Sequence, residues 1–244
     1  MSTQFLFRDQ PYLRELEAEV TTIDHDGAIE LDRTIFYAQS GGQPGDSGVL
    51  RAASGQSVNI GNTIHPGDKN RIAHLPSGEN ENDWRPQIGD KIVCEIDWER
   101  RHKLMRMHTA MHLLSVLFPF PVTGGSIGQE KGRLDFDMPE VPENLEQVEA
   151  DLNRLIEENH TVSGEWISEE ELAANPEMVK TMKVKPPMGQ GRVRLIRIAS
   201  GDTLIDLQPC GGTHVATTGE IGAVVLGKIQ KKGKQNRRVN LLFA

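Results

Sequence analysis

The stretch RMHTAMH at residues 106–112 decides the second half of the fold, because it places two candidate metal ligands on one predicted helix. His108 and His112 are four positions apart, so they share a helix face at a distance of about 6 Å along the axis. About a hundred residues later, CGGTH at residues 210–214 repeats this spacing with Cys210 and His214. Three imidazole nitrogens and one thiolate form a suitable tetrahedral set for zinc. We therefore predict that the two stretches meet at one zinc ion per chain.

Each pair also has a purely structural interpretation, since histidines at helical spacing are common. The first pair flanks an apolar stripe typical of a buried helix, formed by Leu104, Met107, Met111, Leu114 and Phe118. The concentration of ligands favours a metal site, because three of the eight histidines and one of the two cysteines fall in these motifs. The first motif does not fit the HExxH metalloproteases, because Thr109 stands where their general base would be.

The composition is typical of a soluble globular protein. The chain has 244 residues, enough for two domains, with 37% hydrophobic and 25% charged residues. It has no run of 18 apolar residues and its first 14 residues are too polar for a signal peptide, so we expect no membrane association. With one of two cysteines assigned to metal, no disulfide framework remains, which predicts a reducing cytoplasm.

The net charge of −8 argues against indiscriminate binding of nucleic acid, but the charges are unevenly distributed. Acidic residues concentrate between positions 140 and 177, whereas the segment 228–238 carries only basic charges. This run is a candidate RNA-binding patch, with a solvated hairpin turn as the alternative. Its basic residues are Lys228, Lys231, Lys232, Lys234, Arg237 and Arg238.

Residues 1–95 are predicted to form a small β-barrel-like or sandwich domain. Segments rich in β-forming residues are separated by clusters of Gly, Asn, Asp and Pro. The stretch SGGQPGDSG at residues 40–48 contains four glycines, and Gly41 and Gly42 permit a close approach of backbone to a partner. A long β-turn is the alternative there. The predicted strands are 17–23, 28–37, 57–64, 71–75 and 91–96.

Residues 96–244 are predicted to form an α+β domain, in which an antiparallel sheet packs against helices. A helix over 97–118 ends at Pro119, and a glycine-rich loop over 122–128 follows. An apolar stripe predicts a second helix from Pro142 to Glu157, and a capping box at Ser168 opens a third, short one. The predicted strands of this domain are 133–137, 192–199, 203–208, 222–230 and 239–243.

These motifs together resemble the editing domain of alanyl-tRNA synthetase and its free-standing relatives, the alanyl-tRNA editing (AlaX) proteins. HTAMHLL at 108–114 followed by CGGTH carries the resemblance. FYAQSGGQ at 36–43 resembles the glycine motif in the β-barrel of the medium-length members, and RRVN at 237–240 also fits. Because no third domain follows Ala244, we expect the medium-length form. The threonyl-tRNA synthetase editing domain is a more distant relation.

The resemblance implies a hydrolase that removes wrongly attached serine, and possibly glycine, from alanine tRNA. An alanine pocket rejects serine weakly, so a second hydrolytic site is the usual remedy. Zinc with three protein ligands and an open position would lower the pKa of a bound water or hold the substrate, whereas four ligands would be structural. The alternatives are a non-catalytic zinc- or RNA-binding module and an editing enzyme of different specificity, such as one for threonyl-tRNA. The oligomeric state stays open.

The resemblance also suggests residues that contact the substrate. Thr123 is the candidate for the serine hydroxyl, with a turn threonine as the alternative, and Met111 departs from the threonine of many synthetase editing domains. Asp206 and Gln208 precede Cys210 by an alternating step, so one of them would fix the tautomer of a ligand histidine, with surface exposure as the alternative. Arg192, Arg194, Arg197 and the basic run would contact phosphates. Backbone that approaches the adenosine end is expected at Gly124, Gly125, Gly211 and Gly212.

Overall fold

The computed structural model describes residues 3–78, 84–181 and 191–244. Its contacts divide the chain into two compact units, Met1–His102 and Lys103–Ala244. None of the helices within the described ranges is long and apolar enough to cross a membrane.

The first unit is built on a closed antiparallel barrel of six strands, which confirms the barrel among the two predicted alternatives. The barrel order is β2-β3-β7-β6-β5-β8, and β8 pairs back with β2. A short parallel pair, β1 and β4, lies outside it. The strands are β1 (Gln4–Phe5), β2 (Glu15–Ile23), β3 (Ile29–Leu31), β4 (Arg33–Thr34), β5 (Gly48–Ala52), β6 (Ser57–Ile64), β7 (Ala73–Pro76) and β8 (Lys91–Ile96).

Alternate side chains of the barrel strands form the core of this unit. Val20, Leu50, Ile60, Ile92 and Cys94 are all buried in one cluster. The sequence did not indicate β5, and the single strand predicted over 28–37 is divided into β3 and β4. β5 follows the glycine-rich stretch, and Asp32 separates β3 from β4.

The glycine-rich stretch at 40–48 is a turn that packs against the barrel. Gly41 and Gly42 have φ angles of 55° and 87°, and they form the tip of a tight turn between Ser40 and Gln43, as the alternative interpretation predicts. Gly45 and Gly48 are required by close packing. A Cβ atom on Gly45 would lie 2.1 Å from the Thr63 carbonyl oxygen, and one on Gly48 would lie 2.1 Å from that of Glu95.

The second unit has the predicted α+β architecture, with two antiparallel sheets. One sheet has the order β14-β16-β10-β9, with β15 also paired to β16, and the other has the order β11-β12-β13. Its helices are α1 (Trp98–Leu117), which begins in the first unit, α2 (Leu145–Glu157) and α3 (Glu169–Ala174). Its strands are β9 (Val122–Ile127), β10 (Lys131–Asp137), β11 (Thr161–Ser168), β12 (Arg192–Ser200), β13 (Thr203–Pro209), β14 (Val224–Leu226), β15 (Gln230–Lys231) and β16 (Asn236–Phe243).

Two predictions for this unit were wrong. The glycine-rich segment 122–128 is not a loop, because Val122–Ile127 forms β9 and pairs with β10. The predicted strand 222–230 is divided between β14 and β15. In addition, β11 was not predicted, although all of its eight residues pair with β12. These strands are stabilised by partners distant in sequence, so their local composition underestimates their tendency to form strands.

The apolar stripe of α1 covers one face of the first sheet. A Cβ atom on Gly132 of β10 would lie 2.8 Å from the Met107 Sδ atom and 2.7 Å from that of Met111, so only glycine lets the helix lie this close. His108 and His112 each follow one of these methionines by one position, so they lie about 100° around the helix axis from the contact with Gly132. The short helix α3 begins with the predicted capping box between Ser168 and Glu171.

Candidate metal centre

The structure brings the two sequence motifs together at one point within the second unit. One ligand atom from each of His108, His112, Cys210 and His214 lies within 4.8 Å of the other three. The Cys210 Sγ atom is 3.5 Å from the His108 Nε2 atom and 3.3 Å from the His214 Nε2 atom. His112 and His214 are buried, whereas Cys210 is partly exposed.

The two sulfur–nitrogen separations fit a tetrahedral zinc ion. Zinc bonds of about 2.0–2.1 Å to nitrogen and about 2.3 Å to sulfur give ligand–ligand distances of about 3.3–3.6 Å. The two sulfur–nitrogen distances fall in that range. The donor set of three imidazoles and one thiolate also matches the ligands that zinc prefers.

Arg194 holds the loop that carries Cys210 and His214. Its guanidinium donates to the Cys210 carbonyl oxygen at 3.3 Å and to the Gly212 carbonyl oxygen at 2.8 Å. The Arg194 side chain is buried, so the structure assigns it to the metal loop and not to the phosphate contact that the sequence suggested. Arg192 stacks on Trp166, and Arg197 pairs with Glu165.

Asp206 fixes the orientation of His112, as one of the two sequence candidates was expected to do. The His112 Nδ1 atom lies 2.9 Å from the Asp206 carboxylate, which accepts its proton and leaves Nε2 for a metal. Gln208 donates to the same carboxylate at 2.7 Å. Lys180, which sequence reasoning missed, donates to the other carboxylate oxygen at 2.6 Å. Both candidates therefore take part, and a lysine supports them.

Thr109 fixes the orientation of His214. The Thr109 hydroxyl donates to the Met105 carbonyl oxygen at 3.0 Å, so its oxygen accepts from the His214 Nδ1–H group at 3.2 Å. The His214 Nε2 atom is then the unprotonated nitrogen next to Cys210. From the sequence alone, Thr109 was informative only because it does not fit the HExxH motif of metalloproteases. A threonine that bonds back to the carbonyl four residues earlier is a weak signal for this role.

The electrostatics of the cluster favour an anionic sulfur. Burial raises the pKa of the Cys210 thiol, but the adjacent His108 and His214 imidazoles lower it to a value well below the usual range. Burial together with the neighbouring His108 lowers the pKa of His214. Burial lowers the pKa of His112, but the Asp206 hydrogen bond and the Cys210 sulfur outweigh it and raise this pKa to about 9. A bound cation would displace the second His112 proton.

Several residues that were predicted to contact the substrate also form hydrogen bonds that stabilise the fold. The Thr123 hydroxyl donates to the Asp135 carbonyl oxygen at 3.1 Å and accepts from the Asn236 amide at 2.6 Å. Gly124 and Gly125 are paired with β10. The Gly212 N–H group donates to the Cys210 sulfur at 3.4 Å, which supports the thiolate.

The basic run at 228–238 is divided between exposed and engaged side chains. Lys228, Lys231, Lys232 and Lys234 are exposed. Arg237 is buried, and its guanidinium donates to carbonyl oxygens of the 233–236 turn and of Pro139, which favours a structural role. Arg238 is bound to Asp135.

Comparison with known proteins identifies the family of this chain. Residues 193–240 match the family described as the threonyl and alanyl tRNA synthetase second additional domain, and residues 6–100 match class II (A) tRNA synthetases. Alanyl-tRNA editing protein AlaX-M of Methanosarcina mazei is 34% identical, over 97% of this chain and 95% of its own length. The AlaX-M protein of Saccharolobus solfataricus is 31% identical, over 97% of both chains. The alanine–tRNA ligase of Pyrobaculum arsenaticum is 32% identical, over 94% of this chain and 25% of the ligase. Similarity at this level over nearly the whole chain shows that it belongs to the AlaX-M family of alanyl-tRNA editing proteins.

Proposed function

We propose that this protein is an aminoacyl-tRNA deacylase that hydrolyses the ester bond of mischarged alanine tRNA, with serine and secondarily glycine as the amino acids removed. The observation that carries the proposal is the convergence of His108, His112, Cys210 and His214 into one cluster. That cluster occurs in a chain whose relatives over nearly its full length are alanyl-tRNA editing proteins. Such an enzyme acts where tRNA is charged, so we propose a cytoplasmic location.

Zinc is the metal that the donor set fits best. The Nε2 atoms of His112 and His214, together with the Cys210 sulfur and His108, would hold it. Bound zinc would supply Lewis acidity toward the ester carbonyl and would make a nearby water more acidic. A catalytic zinc site keeps one position open, so the proposal requires three of these four side chains to bind during turnover.

The protein side chains around the cluster set its geometry before substrate binds. Asp206 and Thr109 hold the His112 and His214 rings in the tautomers that leave Nε2 for the ion. Arg194 holds the loop that carries Cys210. The ester bond of an aminoacyl-tRNA is chemically activated, so such a fixed site is sufficient for hydrolysis.

Apart from Arg194 and Arg237, the proposed contacts with the substrate are those that the sequence suggested. Backbone at glycines would admit the terminal adenosine, and the exposed lysines of the 228–234 segment would neutralise phosphates. A site that hydrogen-bonds the serine hydroxyl discriminates against alanine, which has no such group. The proposed substrate residues of the second unit are Thr123, Gly124, Gly125, Gly211 and Gly212, while Gly41 and Gly42 of the first unit stay predictions from the sequence.

The test is deacylation by untagged protein of alanine tRNA charged with serine, glycine or alanine, with threonine-charged tRNA as a fourth substrate. We expect serine to be removed fastest and alanine to be spared. His112→Ala and Cys210→Ala should abolish turnover, whereas the matched control His25→Ala, at an exposed position, should retain it. Absence of deacylation above a protein-free blank would indicate a binding module. A preference for threonine would contradict the proposed specificity.

A further inference from the structure

The first sheet of the second unit has a polar face opposite to α1. Strand alternation directs Gly132 and Leu134 of β10 toward the helix, and both are buried there. Lys131, Arg133 and Asp135 therefore lie on the other face. In the register of the sheet, Arg133 is directly opposite Ser126 of β9 and Asn240 of β16.

This face contains a cavity of about 350 Å³. We call it the sheet-face cavity, and its lining side chains are Ser126, Lys131, Arg133, Gln230, Arg238 and Asn240. All six are polar and three are cations. A lining of this kind does not suit an apolar ligand, and its volume is in the range of small-molecule pockets.

Asp135 holds the two guanidiniums of the cavity in place. Its carboxylate accepts from Arg133 Nη1 at 2.9 Å and from Arg238 Nε and Nη2 at 2.7 and 2.8 Å. Burial raises the pKa of Asp135, but the Arg238 hydrogen bond and both positive charges outweigh it, so the pKa is lowered and the carboxylate stays charged. Asp135 uses three N–H groups, whereas each guanidinium has five.

The charges at the cavity sum to an excess of positive charge. Lys131, Arg133 and Arg238 contribute three positive charges and Asp135 one negative charge, which leaves two positive charges. Fixed guanidiniums that present several N–H groups match the oxygens of a phosphate. The amides of Gln230 and Asn240 and the Ser126 hydroxyl add further hydrogen-bonding groups to the lining.

We propose that the sheet-face cavity binds a phosphate group of the tRNA backbone. The source of the phosphate rests on the proposed function, and the continuity of the surface supports it. Gln230 lines the cavity and begins β15, from which the exposed Lys231 and Lys232 continue along the chain. Lys232 is two positions from Gln230, so an RNA strand with one phosphate in the cavity would bring a neighbouring phosphate to this lysine.

The test measures equilibrium binding of uncharged alanine tRNA over a series of salt concentrations. Arg133→Gln should raise the Kd about tenfold at low salt, because a charge-assisted hydrogen bond is lost, and should reduce the salt slope by about one. Lys131→Gln should act in the same direction, and Arg133→Lys should recover part of the affinity. The matched control is Arg154→Gln, which removes one exposed positive charge from α2.

Two further readouts keep the test decisive. Zinc content and thermal unfolding show whether each variant is folded. In the deacylation assay, each variant should have the kcat of the wild type and a higher KM. An unchanged Kd and salt slope in a folded Lys131→Gln, Arg133→Gln double variant would overturn the proposal.

Adenosine monophosphate and inorganic phosphate are tested separately. If either binds to the wild type but not to the double variant, while tRNA binds equally to both, the cavity takes a small phosphate and the RNA assignment is wrong.

These outcomes separate the cavity from the proposed function. The binding measurement uses uncharged tRNA, so it does not depend on hydrolysis. A wild-type protein that binds tRNA through Arg133 but deacylates nothing would contradict the proposed function and leave the cavity assignment standing. If the wild-type protein removes serine from tRNA but the variants bind tRNA as tightly as the wild type does, the proposed function stands and the cavity assignment is wrong.

Discussion

At the scale of single residues, the metal centre depends on side chains that are not ligands. The ligands themselves were predictable, because their residue types and four-residue spacing are visible in the sequence. Asp206 was indicated as well, since it alternates with Gln208 ahead of Cys210. Thr109 and Arg194 were not, because each acts on a partner that is distant in sequence or buried. Their local patterns are those of an ordinary helix threonine and a strand arginine.

Replacement of Asp206 by asparagine should weaken zinc binding. An amide no longer offers His112 a negative acceptor, and it loses the ion pair with Lys180. Loss of such a partner typically costs 10–100-fold in metal affinity, so we expect about that decrease. The measurement is competition for zinc with a chelator of known affinity. Asp202→Asn, at an exposed turn, is the control, and equal affinities for the two variants would contradict the role of Asp206.

The two cysteines should differ in reactivity toward a thiol reagent. Cys94 is fully buried in the barrel, and burial raises the pKa of its thiol to about 12, so it should not react in the folded protein. Cys210 is partly exposed and should react in metal-free protein but be protected by zinc. Mass spectrometry should therefore find one labelled cysteine without zinc and none with zinc. Labelling of Cys210 at the same rate in both states would show that the thiolate is not a ligand.

At the scale of elements, the sequence was informative where local composition or spacing is distinctive. Runs of β-forming residues indicated β2, β6, β7 and β8, and an apolar stripe at helical spacing indicated α1. The strands β9 and β11 do not, because glycine, serine and threonine dilute the signal and the pairing partners β10 and β12 supply the stability. The glycine-rich turn at 40–48 is an element of this second kind. Its role in the barrel depends on Asp46, which accepts from the Tyr37 N–H group and from the Arg101 guanidinium in the first turn of α1.

Loss of the ion pair between Asp46 and Arg101 should destabilise the protein strongly. Both side chains are almost completely buried, and Arg101 also donates to the carbonyl oxygens of Pro11 and Ile35. Asp46→Ala leaves an uncompensated buried charge, which costs about 3–5 kcal/mol. Denaturant unfolding measures this change. Arg51→Ala, which breaks the exposed pair with Glu95, should cost less than about 1 kcal/mol. Similar losses in the two variants would contradict the importance of burial.

At the scale of the whole molecule, the function depends on the convergence of two segments separated by about a hundred residues. No local pattern predicts that meeting. It was inferred because a four-ligand zinc site needs both pairs, and the family resemblance made the inference specific. The charge of the whole chain is negative, so the proposed RNA binding would use local basic surfaces such as the 228–234 lysines.

Neutralising Lys231 and Lys232 together should raise the KM for charged tRNA and flatten its salt dependence. An unchanged salt dependence would show that the RNA binds elsewhere.

The most direct measurement is a zinc titration of metal-free, untagged protein while the hydrolysis of serine-charged alanine tRNA is followed. Activity should rise with added zinc and reach a plateau at one ion per chain, and His112→Ala should show neither tight binding nor activity. Full deacylation by the metal-free protein before any zinc is added would contradict the account, because the cluster would then have no part in the reaction.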